Sequence, residues 1–220
     1  MAIRVEVWGD YACFTRPEMK TERVSYDVMT PSAARGLLES IYWHPGLRWS
    51  IDRIHVCSPI RFTNIRRNEV KDTISARNVK AVMEKGEGEL YLVAPESIQQ
   101  RAAMVLREVR YVIDAHFDMT ENAAVGDNPG KFQDMIKRRL ERGQFYSMPY
   151  FGTREFPAHF CRCAQLPPCP EELRGTCDLG WILLDMDYTD PQNITPRFFR
   201  AVLRDGVMEI PAWNSGEVKK

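Results

Sequence analysis

The sequence predicts an α+β fold: a ferredoxin-like domain over residues 1–160 and a small C-terminal antiparallel β appendage over residues 161–220. Three observations carry this expectation. Apolar periodicity along the first 160 residues reads strand, helix, strand, strand, helix, strand, the split β-α-β order. Both helical segments carry end signals, Thr30-Pro31 before the first and Gly143 after the second. After Pro167-Pro168 the composition changes and only strand-like runs remain.

The elements follow in order. Ile3, Val5 and Val7 share one face of a first strand, which Gly9-Asp10 is expected to stop. Asp10 to Arg23 reads as a polar loop, and Val24 to Met29 as a short extended piece. Thr30 and Pro31 suit the N-cap and first position of a helix from Ser32 to about Trp43. That helix must end before His44-Pro45, because proline disfavours helical backbone at the residue before it. Ala34, Leu37, Leu38, Ile41 and Tyr42 make its apolar stripe. Leu47 to Phe62 alternates as one long strand, bent or edged at Pro59. Thr63 to Gly88 is polar, a hairpin or excursion between strands, and Arg101 to Met119 includes a second long strand. Asn128-Pro129-Gly130 reads as a turn before a helix from about Phe132 to Arg142, and Arg154 to Phe160 as a further strand. Leu179 to Tyr188 and Phe198 to Ile210 complete the chain as strands, the latter folded at Asp205-Gly206. The fold is RNA-recognition-motif-like in element order, but the stacking aromatics of that motif are not evident, and fold alone does not assign function.

Thirty basic and thirty acidic residues cancel, which excludes a globally basic nucleic-acid protein. No apolar run approaches the roughly 18 residues of a membrane span. The first residues alternate like a strand and lack the apolar core of a signal peptide. A soluble, cytoplasmic protein with no membrane partner is expected. The charge is unevenly placed. Between Arg48 and Lys80 eight basic residues face three acids, and Lys131, Lys137, Arg138, Arg139 and Arg142 form a second cluster. Taken alone, such clusters read as solvated faces as readily as polyanion contacts.

No Walker loop, G-x-G-x-x-G or G-x-S-x-G motif is present, so nucleotide and serine hydrolases have no support. Cys161, Cys163, Cys169 and Cys177 are spaced C-x-C-x5-C-x7-C, not as the C-x2-C knuckle that zinc ribbons favour. A zinc site and free thiols both stay open. No H-E-x-x-H pair involves the four histidines, His44, His55, His116 and His159.

Three stretches carry a resemblance: Val7 to Lys20 (VWGDYACFTRPEMK), Arg23 to Val28 (RVSYDV) and Gly36 to Pro45 (GLLESIYWHP). Further matches are Ile65 to Val70, Tyr111 to Phe117, Arg154 to Ala158 and Asp178 to Trp181. Together they resemble the CRISPR-associated subunit of type I-C systems, the C/D branch of the fifth Cas family. The resemblance implies a ferredoxin-like domain with a small C-terminal β-sheet. It also implies metal-independent cleavage of CRISPR repeat RNA, with no cofactor, followed by retention on the 5′ handle of the mature guide RNA. The implied partners are the backbone and large Cas subunits, with target DNA reached through the complex.

Cleavage without metal needs a base for the 2′-hydroxyl, a cation for the phosphate and an acid for the departing 5′-oxygen. The products are then a 2′,3′-cyclic phosphate and a 5′-hydroxyl. By resemblance the catalytic residues are Tyr42, at the end of the first helix, and Lys131, after Gly130. Phe132 stands where the family pattern has His. The resemblance therefore leaves two expectations, a slow endoribonuclease improved by Phe132→His and a non-catalytic RNA-binding scaffold. His44 and His116 are the substitutes for the missing imidazole. Lys131 is expected to lower the Tyr42 pKa, and the two side chains to approach each other. Arg66 and Arg67 are expected on the RNA backbone, with Arg16, Lys20 and Arg23 as second contacts.

Overall fold

The computed structural model describes residues 3–19 and 21–220. It is an α+β protein dominated by one antiparallel sheet. Strand β1 (Ile3–Ala12) is followed by β2 (Arg23–Val24), helix α1 (Pro31–Ile41), β3 (Leu47–Val56), β4 (Phe62–Val70) and α2 (Ala76–Lys85). Then come β5 (Ile98–Met119), α3 (Pro129–Arg142), β6 (His159–Arg162), β7 (Thr176–Asp187), β8 (Thr195–Arg204) and β9 (Val207–Glu209). The sheet order is β6-β1-β5-β3-β9-β8-β7, with β2 and β4 both paired to β5. β5 lies between β1 and β3 and runs antiparallel to each. α1 thus links two parallel-running strands across an intervening one, the split β-α-β arrangement.

Several local expectations change. β1 runs through Gly9-Asp10 to Ala12. Gly9 does not stop the strand; it makes room, since a Cβ there would lie 2.9 Å from both the Phe151 ring and the Pro157 carbonyl oxygen. The expected strand from Leu47 to Phe62 is two, interrupted at Cys57–Arg61, where Pro59 has no N–H to give the ladder. β3 also carries a bulge between Ile51 and Arg53. The extra residue lets Leu47 and Trp49 and then Ile54 and Val56 all face the core. Asn128-Pro129 is not a free turn but the cap and first residue of α3, the Asn128 side chain accepting from the Lys131 N–H at 2.9 Å. The 63–88 excursion includes a helix that sequence did not resolve, α2, with no buried residue.

α1 and α3 cover one face of the sheet. Leu37, Leu38 and Ile41 meet Phe132, Ile136 and Leu140 in a single core with Val5, Val7, Ile113 and Ala115. The other face is polar. Asp114, 8% exposed at its side chain, takes Arg4 at 2.6 Å and His55 at 3.1 Å. Burial pushes the Asp114 carboxyl up, but the Arg4 and His55 hydrogen bonds outweigh it and hold it below the ordinary carboxylate value. A depressed folded-state pKa stabilises above the unfolded value of roughly 3.9, and this is lost as pH falls through the folded value. Asp114→Asn is expected to cost about 1–3 kcal/mol at pH 7. In urea titrations its difference from the parent should narrow below about pH 4; a constant difference would refute this.

The C-terminal strands continue the sheet. β7 and β8 form a hairpin, β8 returns as β9 through Asp205-Gly206 with φ of 48° and 75°, and β9 pairs with β3. β6, spanning residues 159–162, pairs with β1. Among the described residues no helix is long and apolar enough to cross a membrane.

Candidate active site

α1 ends where the sequence turns toward Pro45. Tyr42 is its C-cap, already extended at φ −142° and ψ 111°, with its N–H on the Leu38 carbonyl. Its own carbonyl accepts from the Trp49 indole at 3.0 Å. α3 begins beside this end. Its Phe132 ring lies 6.1 Å from the Tyr42 ring, 4.8 Å from the His44 imidazole and 6.1 Å from the Phe117 ring. Arg139, two turns on, donates to the Ile41 carbonyl and places its guanidinium 5.0 Å over the Tyr42 ring.

Lys131 stands at the mouth of this cluster, and its side chain is 54% exposed. Its ammonium donates to Asp127 at 2.7 Å, an i,i+4 pair. The Asp127 side chain is 2% exposed, also accepts from the Ala124 N–H at 2.8 Å, and lies 3.7 Å from His44 Nε2. His44 Nδ1 accepts from the Gly46 N–H at 3.0 Å, so in that pairing the ring proton sits on Nε2, toward Asp127. The Lys131 hydrogen bond holds the Asp127 carboxyl below its ordinary value, and Asp127 raises Lys131.

Tyr42 and Lys131 are thus brought into electrostatic reach of each other. The expected lowering of Tyr42 does not follow. Burial raises the phenol, the Arg139 and Lys131 cations lower it, Asp127 raises it, and the net direction is upward. Tyr42 is only 5% exposed and keeps its proton at neutral pH. Phe132 is 0% exposed and points into the core. His116 pairs with Asp52 at 2.8 Å on the sheet face away from Phe117 and Phe132, as strand alternation requires. Of the two, His44 is the imidazole that lies beside Phe132 and Asp127. Asp127 is absent from the sequence reading, and Arg139 enters it only as a member of the second basic cluster. Asp127 four residues before Lys131 was the signal for the first.

The expected RNA contacts divide. Arg66 is exposed on β4 and has no ion-pair partner among the described residues. Arg67, on the other face of β4, pairs with Glu155 and lies 5.1 Å over Phe156. Arg23 joins the same network through Glu69 at 3.2 Å and Glu155 at 3.4 Å. Arg16 pairs with Asp27 at 2.8 Å and covers Tyr26. Lys20 lies outside the described residues. Among the described residues no group of three or more His, Cys, Asp or Glu side chains is placed to hold a metal ion. Cys161 and Cys163 flank the end of β6, Cys169 packs under Gly206, and Cys177 is exposed on β7.

A family model described as CRISPR-associated protein (Cas_Cas5), of the Cas5d type, matches residues 2–211. The CRISPR pre-crRNA endoribonuclease Cas5d of Mannheimia succiniciproducens is 50% identical over 223 residues, covering 99% of this chain and 98% of that protein. Its namesake from Thermus thermophilus is 38% identical over 229 residues, covering 96% and 91%. A solved structure described as a CRISPR-associated protein superposes with a TM-score of 0.71 at 21% identity, covering all of this chain and 97% of its own. A functionally uncharacterized protein from Streptococcus mutans superposes with a TM-score of 0.70 at 20% identity and the same coverage. At such identity these two structures bear on the fold alone. The model match and the two full-length relatives make the chain a member of the Cas5d family of CRISPR-associated proteins.

Proposed function

We propose that this chain is an endoribonuclease that cuts CRISPR repeat RNA and stays on the 5′ handle of the guide within a type I-C surveillance complex. The observation that carries the reading is the 50% identity, over 99% of the chain, to a protein named for that activity. The site geometry supports it. Lys131, at the first turn of α3, presents an exposed ammonium at the helix end where backbone N–H groups and the dipole favour a phosphate. Lys131 and Arg139 are the cations for the pentacoordinate phosphate. Tyr42, held protonated, is a proton donor and not the base. The 2′-hydroxyl attacks the adjacent phosphorus, its proton leaves to a base, and the 5′-oxygen departs as it is protonated. A 2′,3′-cyclic phosphate and a 5′-hydroxyl result.

Purified protein incubated with its cognate repeat RNA in EDTA, with the products sized and their ends mapped, tests this. Dependence of the chemical step on added Mg²⁺ would defeat the mechanism. The 5% exposure of Tyr42 favours a second reading, an RNA-binding scaffold without cleavage. Tight binding with no product in any variant would establish it.

The partners follow from the same reading: guide RNA, the backbone and large Cas subunits, and target DNA through them. The excursion between β4 and β5 supports a protein contact, since Ile74, Met83 and Tyr91 are left in solvent there. The division at residue 160 belongs to this reading too, with residues 1–160 as the RNA-processing unit and residues 161–220 as the appendage. For the RNA track, Arg66→Ala is expected to weaken repeat RNA binding and lower the salt slope by about one per lost phosphate contact. Arg67→Ala is expected instead to lower thermal stability, because its charge is spent on Glu155. Equal loss of RNA affinity from both would contradict this division.

A further inference from the structure

Trp43 and Tyr146 stand in solvent at the rim of the candidate site, 52% and 68% exposed. Their ring centroids are 6.3 Å apart and their planes are inclined by 33°. Neither ring sits on a loose tip. Trp43 directly follows Tyr42, whose backbone is fixed on both sides by Leu38 and Trp49. The N–H groups of Tyr146 and Ser147 both donate to the Ser40 carbonyl, at 2.8 and 2.9 Å. The segment after α3 is thereby tied to the last turn of α1, and the two rings are held next to each other while still facing water.

Helix α3, which runs beside this end of α1, is rich in cations. Arg139 donates to the Ile41 carbonyl, two residues before Trp43. Lys137, Arg138 and Arg142 are exposed along α3 and have no ion-pair partner among the described residues. Exposed aromatic faces next to a helix that carries unpaired cations suit a ligand with a flat π system and a negative backbone, which is the chemistry of single-stranded nucleic acid. An apolar protein segment would satisfy the rings and leave the cations unanswered.

We propose that Trp43 and Tyr146 form a stacking platform for an unpaired base of the RNA, next to the phosphate engaged by Lys131. The proposal rests on the RNA-processing reading and deepens it. The platform orients the strand by stacking while Lys131 and Arg139 take the charge, and it reads no base edge, so it tolerates any base with a π face.

The test uses the full chain and repeat RNA carrying 2-aminopurine at each unpaired nucleotide in turn. With the parent protein, fluorescence at one position should be quenched on binding. Trp43→Ala/Tyr146→Ala should abolish that quench and weaken affinity about 5- to 150-fold, the range set by roughly 1–3 kcal/mol of stacking per base. Trp43→Phe/Tyr146→Phe should keep both. In cleavage, KM should rise more than kcat falls. Both residues are exposed, and an unchanged melting temperature would confirm that the variants fold. If quench and affinity survive the double Ala variant while Lys131→Ala still slows cleavage, the platform is overturned and the processing reading stands. If the parent binds no repeat RNA, both fall. Unchanged RNA affinity with lost association to other Cas subunits would assign the rings to a protein partner and overturn the platform.

Discussion

Lys131→Ala is expected to lower the single-turnover cleavage rate about 10²–10³-fold, the usual loss when one positioned charge or donor is removed from a developing oxyanion. The loss has two sources. The ammonium disappears, and Asp127 loses its partner. Its side chain is 2% exposed and keeps the Ala124 N–H, so a carboxylate without its nearest cation is then left beside the phosphate. Lys131→Ala/Asp127→Asn should therefore recover part of the activity, and Lys131→Arg more. Tyr42→Phe removes a proton donor while keeping the ring under Arg139, and is expected to cost about 10²-fold or more. The two losses act on one transition state and should not add. The pH dependence has a definite sign. Tyr42 and Lys131 are both raised above their ordinary values near 10, so both keep their protons through the neutral range. The rate should fall, not rise, when either is titrated at high pH. A rise in rate through the tyrosine ionisation would restore Tyr42 as a base and refute the donor role. A rate unchanged by Lys131→Ala would remove Lys131 from the chemistry.

The parts of this arrangement legible in sequence are those decided within a few residues. Thr30-Pro31 caps α1 and Gly143 ends α3 in the left-handed conformation, because capping is a local hydrogen-bond requirement. The hairpin at Asp205-Gly206 is local in the same way. Asn128-Pro129 is ambiguous in sequence because the same dipeptide suits a turn and a helix start, and only the Asn128 bond to the Lys131 N–H separates them. The break at Cys57–Arg61 was only half visible. Pro59 marked the irregularity, but β5 runs 22 residues and pairs with both β3 and β4, a long-range fact. The site shows the same limit. Motif resemblance named Tyr42 and Lys131 and the fold brought them together, yet the resulting Tyr42 pKa runs opposite to expectation. Burial outweighs the cations there, and burial is a property of packing that no short motif carries. That Arg23 and Arg67 are ion-paired is hidden from sequence for a related reason: Glu69 and Glu155 reach them only in the folded chain.

Packing at Phe132 argues against the gain that the motif predicts there. Sequence alone makes Phe132→His a gain, because it returns an imidazole beside Lys131. In the fold the Phe132 ring is 0% exposed, and its neighbours are the rings of Tyr42, His44 and Phe117. An imidazole at that place exchanges apolar contact for a polar ring in a largely aromatic setting. A buried polar group without a partner costs about 1–3 kcal/mol. Removing the ring altogether, Phe132→Ala, is expected to cost about 3–5 kcal/mol, the usual range for a fully buried phenylalanine. The loss would also reach the site, since Phe132 lies between α3 and the end of α1 and keeps Lys131, His44 and Tyr42 in register. Both variants should therefore lower the urea midpoint, Ala more than His, and neither should cleave faster than the parent. Phe132→Leu keeps an apolar filling and should fall between the parent and Ala in stability. The decisive comparison is the cleavage rate of Phe132→His at a temperature where both proteins are folded. A clear rise in rate would mean that the new imidazole leaves the core and reaches the scissile phosphate. His44 would then not be the imidazole of the site, and the apolar seam between α1 and α3 would have to open in the RNA complex.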